Sequence, residues 1–523
     1  MKKLLFLLMM PVIAWAQYDI SNMYKVSTGE PYPVVDANIK AYQTIDDAVY
    51  MLKIDKKKII LQKYSTTEKK EIYSKTIAPL KGYEAFEEFI KMGKELYFFY
   101  SDFDKKSTKE FLYYKKLYPE TGEFSSATKV LEIPHKVVAF DKYEFYKSYG
   151  ENKLVIQTRK KPDVRNDKKS YDEIVLAILD QDLIVENTYD LRMPYTEAEM
   201  NNLDYQVDKE GNSYILAEVY DSEVPKKYIK DKKNYHLELL VISNGEISIH
   251  KINDSEYSLP TVFLFENATG NLYLAGTYNS EHKYDNIEGF FYQTIYADGS
   301  VGEFITAKIP KDILNQFESE RTQKKNEKKD KKGDLDLPNI EMRRVISTSD
   351  GGTLLIAEEH LIVSHTSVDS QGRTRTYYTY HYQDIYTMKY NKEGQVEWMK
   401  KLPKSQSGRD GKGGMSFKYI GKNDNHYFFF TDNEKNINLA ENERPANQID
   451  GSAGVLTVYK VADSDGQVTK SNIVNYKSVV IEGYKKPMPV YQHYIDRIFE
   501  TPTGMAFEVY KKQKQDVMLH VDF

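Results

Sequence analysis

The chain has 523 residues, with 73 lysines and arginines against 78 aspartates and glutamates, and a formal net charge of −5. It contains no cysteine, which excludes disulfides, thiolate metal sites and cysteine nucleophiles. The slight excess of acid argues against a nucleic-acid partner, because such partners usually require a basic surface. We therefore expect a protein stabilised by its hydrophobic core, which a chain of this length can provide.

The N-terminus has the three parts of a secretory signal peptide. Two lysines supply the positive start, residues 4–13 form a short apolar run, and residues 14–16 read Ala-Trp-Ala, the small-residue pattern that precedes a cleavage point. The run is shorter than the about 20 residues that span a bilayer. The pattern predicts a signal peptide over 1–16 and an exported mature chain over 17–523 without a transmembrane span. A buried N-terminal strand is the alternative.

A polar turn followed by an apolar strand recurs along the chain. The turn contains Gly, Asn or Asp and the strand is rich in Tyr, Phe, Leu and Ile, which is typical of β-hairpins. The markers Asn152, Gly211 and Gly270 follow one another at intervals of 59 residues. The strands are AVYMLKI from Ala48, ELYFFY from Glu95, KLVIQT from Lys153, SYILAEVY from Ser213, LYLAGTY from Leu272, TLLIAEE from Thr353, HYFFFTD from His426 and MAFEVY from Met505.

Two further markers complete the repeat. A second polar turn follows each of the first seven strands, and an apolar or small residue before a proline ends most units, as at Ala78-Pro79 and Leu402-Pro403. The fixed order predicts a unit of four antiparallel strands and about 55 to 60 residues, the size of a propeller blade. We expect an all-β protein, a single β-propeller domain of about eight four-stranded blades. Seven blades, or two or three unrelated β-sandwiches, are the alternatives.

The two ends of the mature chain complement each other. The eighth unit has three strand candidates and then stops at Phe523, so it lacks a fourth strand. The segment from Asp19 to Ser27 is a strand candidate without a unit of its own. We predict that this segment joins the last blade and closes the ring, which leaves no sheet edge open.

The long segments fall in only two kinds of connection. If the four strands of a unit are called a to d, the insertions join b to c or d to a, and these two connections lie at the same end of an antiparallel sheet. Loops on a rigid scaffold usually carry function, so this end is the expected binding face. In the charged insertion 311–341, residues 312–332 are expected either to form a polar helix or to be disordered. The other insertions are the hairpin insertion 358–383 and residues 159–170, 221–234, 432–452 and 475–490.

The insertion 358–383 is the most suggestive of these segments. It is rich in Thr, Tyr, His and Arg and predicts a long hairpin with its tip at Gln371-Gly372. Tyrosines of this kind stack on sugars or grip a peptide, whereas a plain protruding hairpin is the alternative. The candidate binding residues are His365, Arg373, Arg375, Tyr377, Tyr378, Tyr380 and His381.

The sequence indicates no catalytic centre, metal site or cofactor. The insertion 358–383 contains three histidines, His360, His365 and His381. Without a carboxylate at a fixed spacing, they are weak evidence for a metal site. Asp463-x-Asp465-Gly466 begins like a calcium loop, but Val474 stands where the loop requires Glu. Nucleophile-elbow, zinc-protease and phosphate-loop motifs are missing. The basic loop 159–170 is interpreted as a solvated tip, with an anionic glycan or membrane headgroup as its alternative ligand.

One part of the chain resembles a known group. Over about 345–406, GGTLLIAEE, a Thr/Tyr-rich insertion and YHYQDIYTMKYNKEGQVEWMKKLPKSQ are similar to secreted propeller-like proteins of Bacteroidota that have no assigned activity. The resemblance implies a bacterial envelope location and no particular chemistry. It is carried by Gly351, Gly352, Glu358, Tyr382, Asp384, Trp398, Pro403 and Gln406.

These observations lead to two functional hypotheses. The first is a non-catalytic binding or scaffold protein of the cell envelope, which uses its loop-rich face to hold a protein or glycan partner. Its expected location is the periplasm or the outer membrane, with an extracellular location as the alternative. The second is a propeller enzyme, a hydrolase or lyase that acts on polysaccharide or peptide, since a pair of carboxylates among the 78 acidic residues is compatible with such chemistry. Converging carboxylates at the channel mouth would favour the enzyme, and a flat aromatic surface would favour binding.

Overall fold

The structure is a computed structural model, and it describes most of the chain. It covers residues 23–523 except for residues 57, 135–136, 138–141, 162–168, 231, 253–256, 267–269, 281–285, 297–298, 332–336, 410–414, 441–442, 451–452, 482–483, 485–489, 492–496 and 512–513. The predicted signal peptide, the first part of the predicted N-terminal strand and most of the basic loop 159–170 lie outside the described residues.

The first half of the described chain begins with two short strands and then forms four sheets. The two short strands are β1 (Lys25–Thr28) and β2 (Tyr32–Pro33). Sheet 1 contains β3 (Ile39–Ile45), β4 (Ala48–Asp55), β5 (Lys58–Ser65) and β6 (Lys70–Ile77). Sheet 2 contains β7 (Ala85–Met92), β8 (Glu95–Asp104), β9 (Lys109–Tyr118), β10 (Glu123–Phe124) and β11 (Thr128–Ile133).

Sheets 3 and 4 follow the same pattern. Sheet 3 contains β12 (Glu144–Lys147), β13 (Lys153–Arg159), β14 (Tyr171–Asp180) and β15 (Val185–Thr196). Sheet 4 contains β16 (Met200–Val207), β17 (Ser213–Tyr220), β20 (Tyr235–Ser243) and β21 (Glu246–Lys251). Between β17 and β20 the chain forms a small hairpin of β18 (Tyr228–Ile229) and β19 (Lys232–Lys233).

Sheet 5 and the segment after it contain the helices of the fold. Sheet 5 contains β22 (Ser258–Glu266), β23 (Leu272–Asn279), β25 (Gly289–Ile295) and β26 (Ile305–Lys308). The short strand β24 (Asn286–Ile287) pairs with β27 (Leu337–Pro338). The helices are α1 (Lys311–Asn315) and α2 (Glu320–Asp330).

Sheet 6 has the longest strands of the eight sheets. It contains β28 (Ile340–Ser347), β29 (Thr353–Val368), β30 (Thr374–Tyr390), β31 (Val396–Leu402) and β32 (Gln406–Arg409), and β35 (Gln448–Ile449) pairs with β32. Sheet 7 contains β33 (Lys418–Lys422), β34 (Asn425–Asp432), β36 (Val455–Ala462) and β37 (Val468–Asn475), with 3-10 turns at Glu434–Asn436 and Tyr476–Ser478.

Sheet 8 joins the two ends of the described chain. It contains β38 (Val490–Tyr491), β39 (Ile498–Thr501), β40 (Gly504–Lys511) and β41 (Gln515–Asp522). The strand β1 pairs antiparallel with β41, from Lys25 opposite Asp522 to Thr28 opposite Leu519. The N-terminal strand therefore occupies the position that the sequence predicts for the fourth strand of the last unit.

The eight apolar runs of the repeat all form the second strand of their sheet. In β4 seven of eight residues are buried in succession, and in β23 all eight are buried. Each of these strands lies in a sheet that packs against another sheet on both of its faces, so the strand needs apolar side chains on both faces. This explains why the sequence shows continuous apolar runs and not alternating apolar and polar residues. The turns that precede three of these runs contain Gly211, Gly270 and Gly351, whose φ angles of +92°, +80° and +83° lie in the left-handed region that favours glycine.

The hydrophobic core is divided among the spaces between sheets. Each sheet shares a buried cluster with the next one, and a further cluster of Tyr32, Val49, Met51, Tyr64, Phe499 and Met518 lies between sheet 8 and sheet 1. First strands of neighbouring sheets also contact one another, as β3 does with both β7 and β39. The chain is thus an all-β protein of the β-propeller type, as the sequence predicts.

The helical content is small and lies in the predicted charged insertion. The sequence left open a polar helix over 312–332 or disorder, and the described residues form two helices separated at Gln316–Ser319. Ser319 caps α2 by accepting a hydrogen bond from the backbone N–H of Thr322. Of the helices in the described part of the chain, none combines the length and apolar character required to cross a membrane.

Candidate functional site

The sheet topology places the b–c and d–a connections at the same end of each sheet, and the longest projection at this end comes from sheet 6. There β29 and β30 continue as a paired hairpin beyond the point where β28 begins, opposite Glu359. We call residues 360–382 the projecting hairpin. Its pairs run from His360 opposite Tyr382 to Val368 opposite Thr374.

A tight turn closes the projecting hairpin at the predicted position. The backbone N–H of Asp369 donates to the carbonyl of Arg373 at 3.0 Å, and the N–H of Gly372 donates to the carbonyl of Asp369 at 2.9 Å. The Asp369 carboxylate accepts further hydrogen bonds at 2.9 Å from the N–H groups of Gln371 and Arg373. Gly372 has a φ of +77°, so the turn requires a residue that tolerates the left-handed region.

The strand register divides the predicted binding residues between two faces. Alternate residues of a strand point to opposite faces, so directly paired residues share a face. His365 opposite Tyr377 and Leu361 opposite His381 lie on the first face together with Arg375. The second face carries Tyr378 and Tyr380, and Arg373 lies in the turn. The structure therefore brings together four of the seven predicted residues, His365, Arg375, Tyr377 and His381.

Stacked rings organise the first face. The His365 and Tyr377 rings lie 4.9 Å apart at an angle of 17°, and His365 Nε2 is 3.0 Å from the Thr379 hydroxyl. The guanidinium of Arg409, on the neighbouring strand β32, lies 4.7 Å from the centre of the Tyr377 ring. Cation–π and ring contacts of this kind hold the tyrosine in one orientation while 37% of it stays exposed.

The second face is more apolar and more exposed. Ile362 is 48% and Tyr378 is 45% exposed. Nearer the base, the His360 ring lies 4.5 Å from that of Tyr382, and His360 Nδ1 lies 2.7 Å from a carboxylate oxygen of Glu341. This face can contact a partner with apolar and aromatic groups at its outer part, while its inner part is held by polar contacts.

A buried charged group anchors the projecting hairpin at its base. The carboxylate of Glu358 lies 2.7 Å from Lys404 Nζ, and both side chains are completely buried. The same carboxylate accepts from Arg343 Nε at 2.8 Å and from the Ser416 hydroxyl at 2.7 Å. Burial lowers the pKa of Lys404, although Glu358 opposes that shift. Because neither charge reaches solvent, we interpret this group as an anchor and not as a reactive centre.

A second charged group ties the base to the insertion with the helices. Lys401 Nζ lies 3.1 Å from carboxylate oxygens of both Glu318 and Asp384, and it donates to the carbonyl of Leu314 at 3.2 Å. Glu359 belongs to the same group. Its pKa is raised to about 7, first by burial and then by the negative charges of Asp384 and Glu318.

Residues that carry the resemblance separate into two places in sheet 6. Glu358, Tyr382, Asp384 and Gln406 lie at the base of the hairpin, whereas Gly351, Gly352 and Trp398 lie near the opposite end of the sheet. At that end the buried Lys389 ammonium lies 2.7 Å from Asp350 and 2.5 Å from Asp463, and the Trp398 indole donates to the Asp463 carbonyl at 2.8 Å.

The Asp463 carboxylate is also engaged by His426 at 2.8 Å. The residue that begins the calcium-like pattern is therefore part of a structural ion-pair group. Among the described residues, no group of three or more His, Asp or Glu side chains is arranged to hold a metal ion.

Sequence reasoning missed the cations of the anchor. Lys404 follows the predicted end of a strand at Pro403, and Arg343 lies in a strand that the repeat does not mark. One signal was available, since a lysine placed directly after a buried strand and its proline must be paired if it is buried. Its partner, 46 residues earlier in the chain, follows only from the strand register.

A shallow cavity of about 480 Å³ lies among the first strands of sheets 1, 6, 7 and 8. Its lining includes Arg344, Lys418, Tyr419 and Phe499, and Glu500 is its one described carboxylate. A hydrolase that uses two carboxylates needs a pair about 5 to 9.5 Å apart. This cavity does not bring such a pair together.

Comparison with known proteins shows no family for this chain. No family model matches the chain, and no curated protein matches its sequence. Among solved structures, the acylaminoacyl peptidase of Pyrococcus horikoshii is 11% identical with a TM-score of 0.36, over 93% of this chain and 57% of the peptidase. The chain thus spans a little over half of that enzyme's length.

Two further solved structures are similar to this chain at equally low sequence identity. The β-propeller domain of the trilobed protease of Pyrococcus furiosus is 10% identical with a TM-score of 0.35, over 86% of this chain and all of that domain. A protein of unknown function from Bacteroides caccae is 11% identical with a TM-score of 0.26, over 66% of this chain and 90% of that one. At these values the similarity carries no functional argument.

Proposed function

We propose that this chain is a non-catalytic binding protein of the bacterial cell envelope, which uses its loop-rich face to hold a partner protein. One observation carries the proposal. The projecting hairpin continues beyond the sheet and exposes aromatic and apolar side chains on both faces, including Leu361 at 41%, Ile362 at 48% and Tyr378 at 45%.

The projecting hairpin is held in place before any partner binds. The buried Glu358–Lys404 pair and the Lys401 group fix its base, while β32 pairs with β30 from Gln406 to Arg409 and holds its lower half. A preorganised surface loses little conformational entropy on binding, so more of the contact energy appears as affinity. Exposure without mobility at the base supports a binding role over a solvated loop.

The chemistry of the surface favours a protein over a glycan. Interface cores are enriched in Tyr and Arg and depleted of acidic residues and Lys. The projecting hairpin carries four tyrosines, two arginines and Asp369 as its single acidic residue. Its faces are flat ladders, whereas a glycan site is usually a groove with converging polar groups.

The envelope location rests on the N-terminal pattern of charge, apolar run and small residues, and on the resemblance described above. We propose an exported protein that is periplasmic or associated with the outer membrane, and a single propeller domain in which the eight sheets close a ring. The cluster between sheet 8 and sheet 1 and the pairing of β1 with β41 support the closed ring.

The test is a cross-linking pull-down from native envelopes. The variant Tyr377→Ser/Tyr378→Ser changes one exposed tyrosine on each face of the projecting hairpin. The matched control Tyr118→Ser/Tyr149→Ser changes two tyrosines that are 47% and 53% exposed at the other end of the sheets. We expect the hairpin variant to lose the captured protein at least tenfold and the control to retain it. Equal capture by both variants, or capture of no protein by the native chain, overturns the proposal.

A further inference from the structure

In the described part of the chain, the edge of the projecting hairpin on the β28 side is an unpaired strand. Up to Glu359 the strand β29 pairs with β28, and the last contact on this side is the His360 N–H, which donates to the Asn339 carbonyl at 2.8 Å. We call residues 361–368 the open edge. In the described part of the chain no strand pairs with this side of the open edge, and six of its eight residues are exposed.

The open edge lacks the protection that other edges of this protein have. Natural sheets protect an edge with charged residues, especially lysine, or with proline, because an unpaired row of N–H and C=O groups is a template for another strand. The open edge reads LIVSHTSV and contains no Lys, Arg, Asp, Glu or Pro. The outermost strands of the other seven sheets each carry such a residue, namely Lys25, Lys70, Lys129, Pro194, Lys251, Lys308 and Lys470.

The sequence of the open edge suits pairing with an identical strand. In an antiparallel pair, directly opposite residues either both point their N–H and C=O groups at each other or both point them away. A symmetrical pairing therefore places one residue opposite its own copy, and the middle of the open edge supplies Ser364, His365 or Thr366. A charged residue near the middle of this strand would lie opposite its own charge or close to it, and like charges opposite each other destabilise a sheet.

Charge complementarity favours the same arrangement. Two antiparallel hairpins that meet along this edge place the tip of each beside the base of the other, over about 26 Å of strand. The tip carries Arg373 and Arg375 against the single carboxylate of Asp369, and the Arg375 side chain is 73% exposed. The base at the start of β28 carries the Glu341 carboxylate, which is 46% exposed and also lies 3.1 Å from Arg343. The net positive tip of each hairpin therefore lies beside an exposed carboxylate at the base of the other.

We propose that two copies of this chain associate through their open edges, so that β29 of one copy pairs antiparallel with β29 of the other in one continuous four-stranded sheet. The inference rests on the proposed function, because it concerns the same projecting hairpin, and it adds a second copy of this chain as the partner of the open edge. The interface is isologous, because the same residues of both copies form it. Both faces of the joined hairpins stay available to further contacts.

The test uses the full mature chain, whose lack of cysteine makes single-cysteine probes clean. Opposite Cα atoms in an antiparallel pair lie about 4.5 to 5.5 Å apart, within the reach of a disulfide. We expect Ser364→Cys, His365→Cys or Thr366→Cys to form a disulfide-linked dimer under mild oxidation. Tyr378→Cys on β30 is also exposed, but in the joined sheet two strands lie between it and its copy, so it should stay monomeric on a denaturing gel.

A second measurement does not depend on oxidation. Sedimentation equilibrium should show twice the chain mass for the native protein, and Ile362→Lys/Thr366→Lys should weaken the dimer at least tenfold. Thr376→Lys/Tyr378→Lys on β30 is the control with equal added charge, and circular dichroism checks that both variants are folded. A native chain that is monomeric at tens of micromolar overturns the inference.

The outcomes separate this inference from the proposed function. A monomeric chain whose hairpin still captures a different envelope protein overturns only the self-association. A monomeric chain without hairpin-dependent capture overturns both. Disulfides that form equally at Tyr378→Cys and at the three edge positions indicate random collision and also overturn the pairing.

Discussion

Sheet 1 and sheet 6 use the same connection differently. In sheet 1 the second strand β4 ends at Asp55 and β5 begins at Lys58, so the hairpin is closed at the edge of the sheet. In sheet 6 the equivalent strands continue from Glu359 to a tip at Asp369–Arg373. The buried parts are alike, since both second strands begin with six buried residues. The projecting hairpin is therefore an addition to a shared scaffold.

The two sheets also share a buried ion pair at the same depth. The sixth residue of the second strand is Lys53 in sheet 1 and Glu358 in sheet 6. Lys53 Nζ lies 2.6 Å from the Glu508 carboxylate, and Glu358 lies 2.7 Å from Lys404 Nζ. Both sheets thus hold a buried ion pair beneath the loop-rich face, and in sheet 6 this pair supports a projection.

The largest expected effect is the loss of one member of a buried pair. Glu358→Ala removes the carboxylate that pairs with the buried Lys404, and Lys53→Ala removes the nearest cation of the buried Glu508, which keeps two tyrosine hydroxyl donors and Arg497 at 3.9 Å. Each change should cost about 3–5 kcal/mol of the free energy of unfolding, because an unpaired buried charge remains. Urea unfolding followed by circular dichroism measures this cost. A cost below about 1 kcal/mol in either sheet would show that water reaches the pair.

The next effect concerns pH at the base of the projecting hairpin. The raised pKa of Glu359, about 7 against 4.5, means that the folded state binds a proton more tightly than the unfolded state. This contribution to stability is complete below about pH 4.5 and is lost as the pH rises through about 7. Glu359→Gln should therefore gain up to about 3 kcal/mol relative to the native chain between pH 5 and pH 8.

This pH effect has a clear control. Glu320→Gln changes a carboxylate that is 89% exposed on α2, and its stability should follow that of the native chain at every pH. Unfolding midpoints at pH 5, 6, 7 and 8 give the comparison. Parallel curves for Glu359→Gln and the native chain would contradict the assignment of a protonated carboxyl group at this position, and the groups that set it are Asp384, Glu318, Lys401 and Arg444.

Making sheet 6 resemble sheet 1 should change stability little. Replacement of residues 361–381 by Asn-Gly closes the hairpin near the sheet with a favoured turn. The removed side chains are largely exposed, so we expect a change within about 1 kcal/mol. The same variant should lose the captured partner. A large loss of stability would indicate that the projecting hairpin belongs to the scaffold after all.

The smallest effect is expected at an exposed ion pair of the opposite end. Lys94 Nζ lies 3.4 Å from Asp46, with side chains 80% and 68% exposed. Lys94→Ala should change the free energy of unfolding by no more than about 0.5 kcal/mol, because solvent screens such pairs. Thermal unfolding in low and high salt checks this, and a clear salt-sensitive loss would contradict it.

Much of the scaffold could be predicted from the sequence. The eight apolar runs, from AVYMLKI to MAFEVY, all form second strands, because strands between two packed neighbours must be apolar on both faces. The N-terminal strand next to β41 also followed from counting strands in the last unit. The number of blades in a closed ring and the domain boundaries stay predictions.

The candidate site could be predicted only in part. The length of the hairpin and its turn near Gly372 followed from composition and turn residues, whereas its two faces depend on register. The bulge at Glu359 shifts that register by one residue, so His360 and Tyr382 become partners. No composition rule contains this shift, so the sequence does not tell which of the seven candidate residues share a face.

The sequence by itself determined the repeat, the second strand of each sheet and the place of the long insertions, because period, turn residues and apolar runs are local properties of the chain. Only the tertiary structure decided which charges meet. Lys53 meets Glu508 across 455 residues, and Glu358 meets Lys404, Arg343 and Ser416 from three other segments. Such pairs form because burial makes an unpaired charge costly, and burial arises only when the sheets pack.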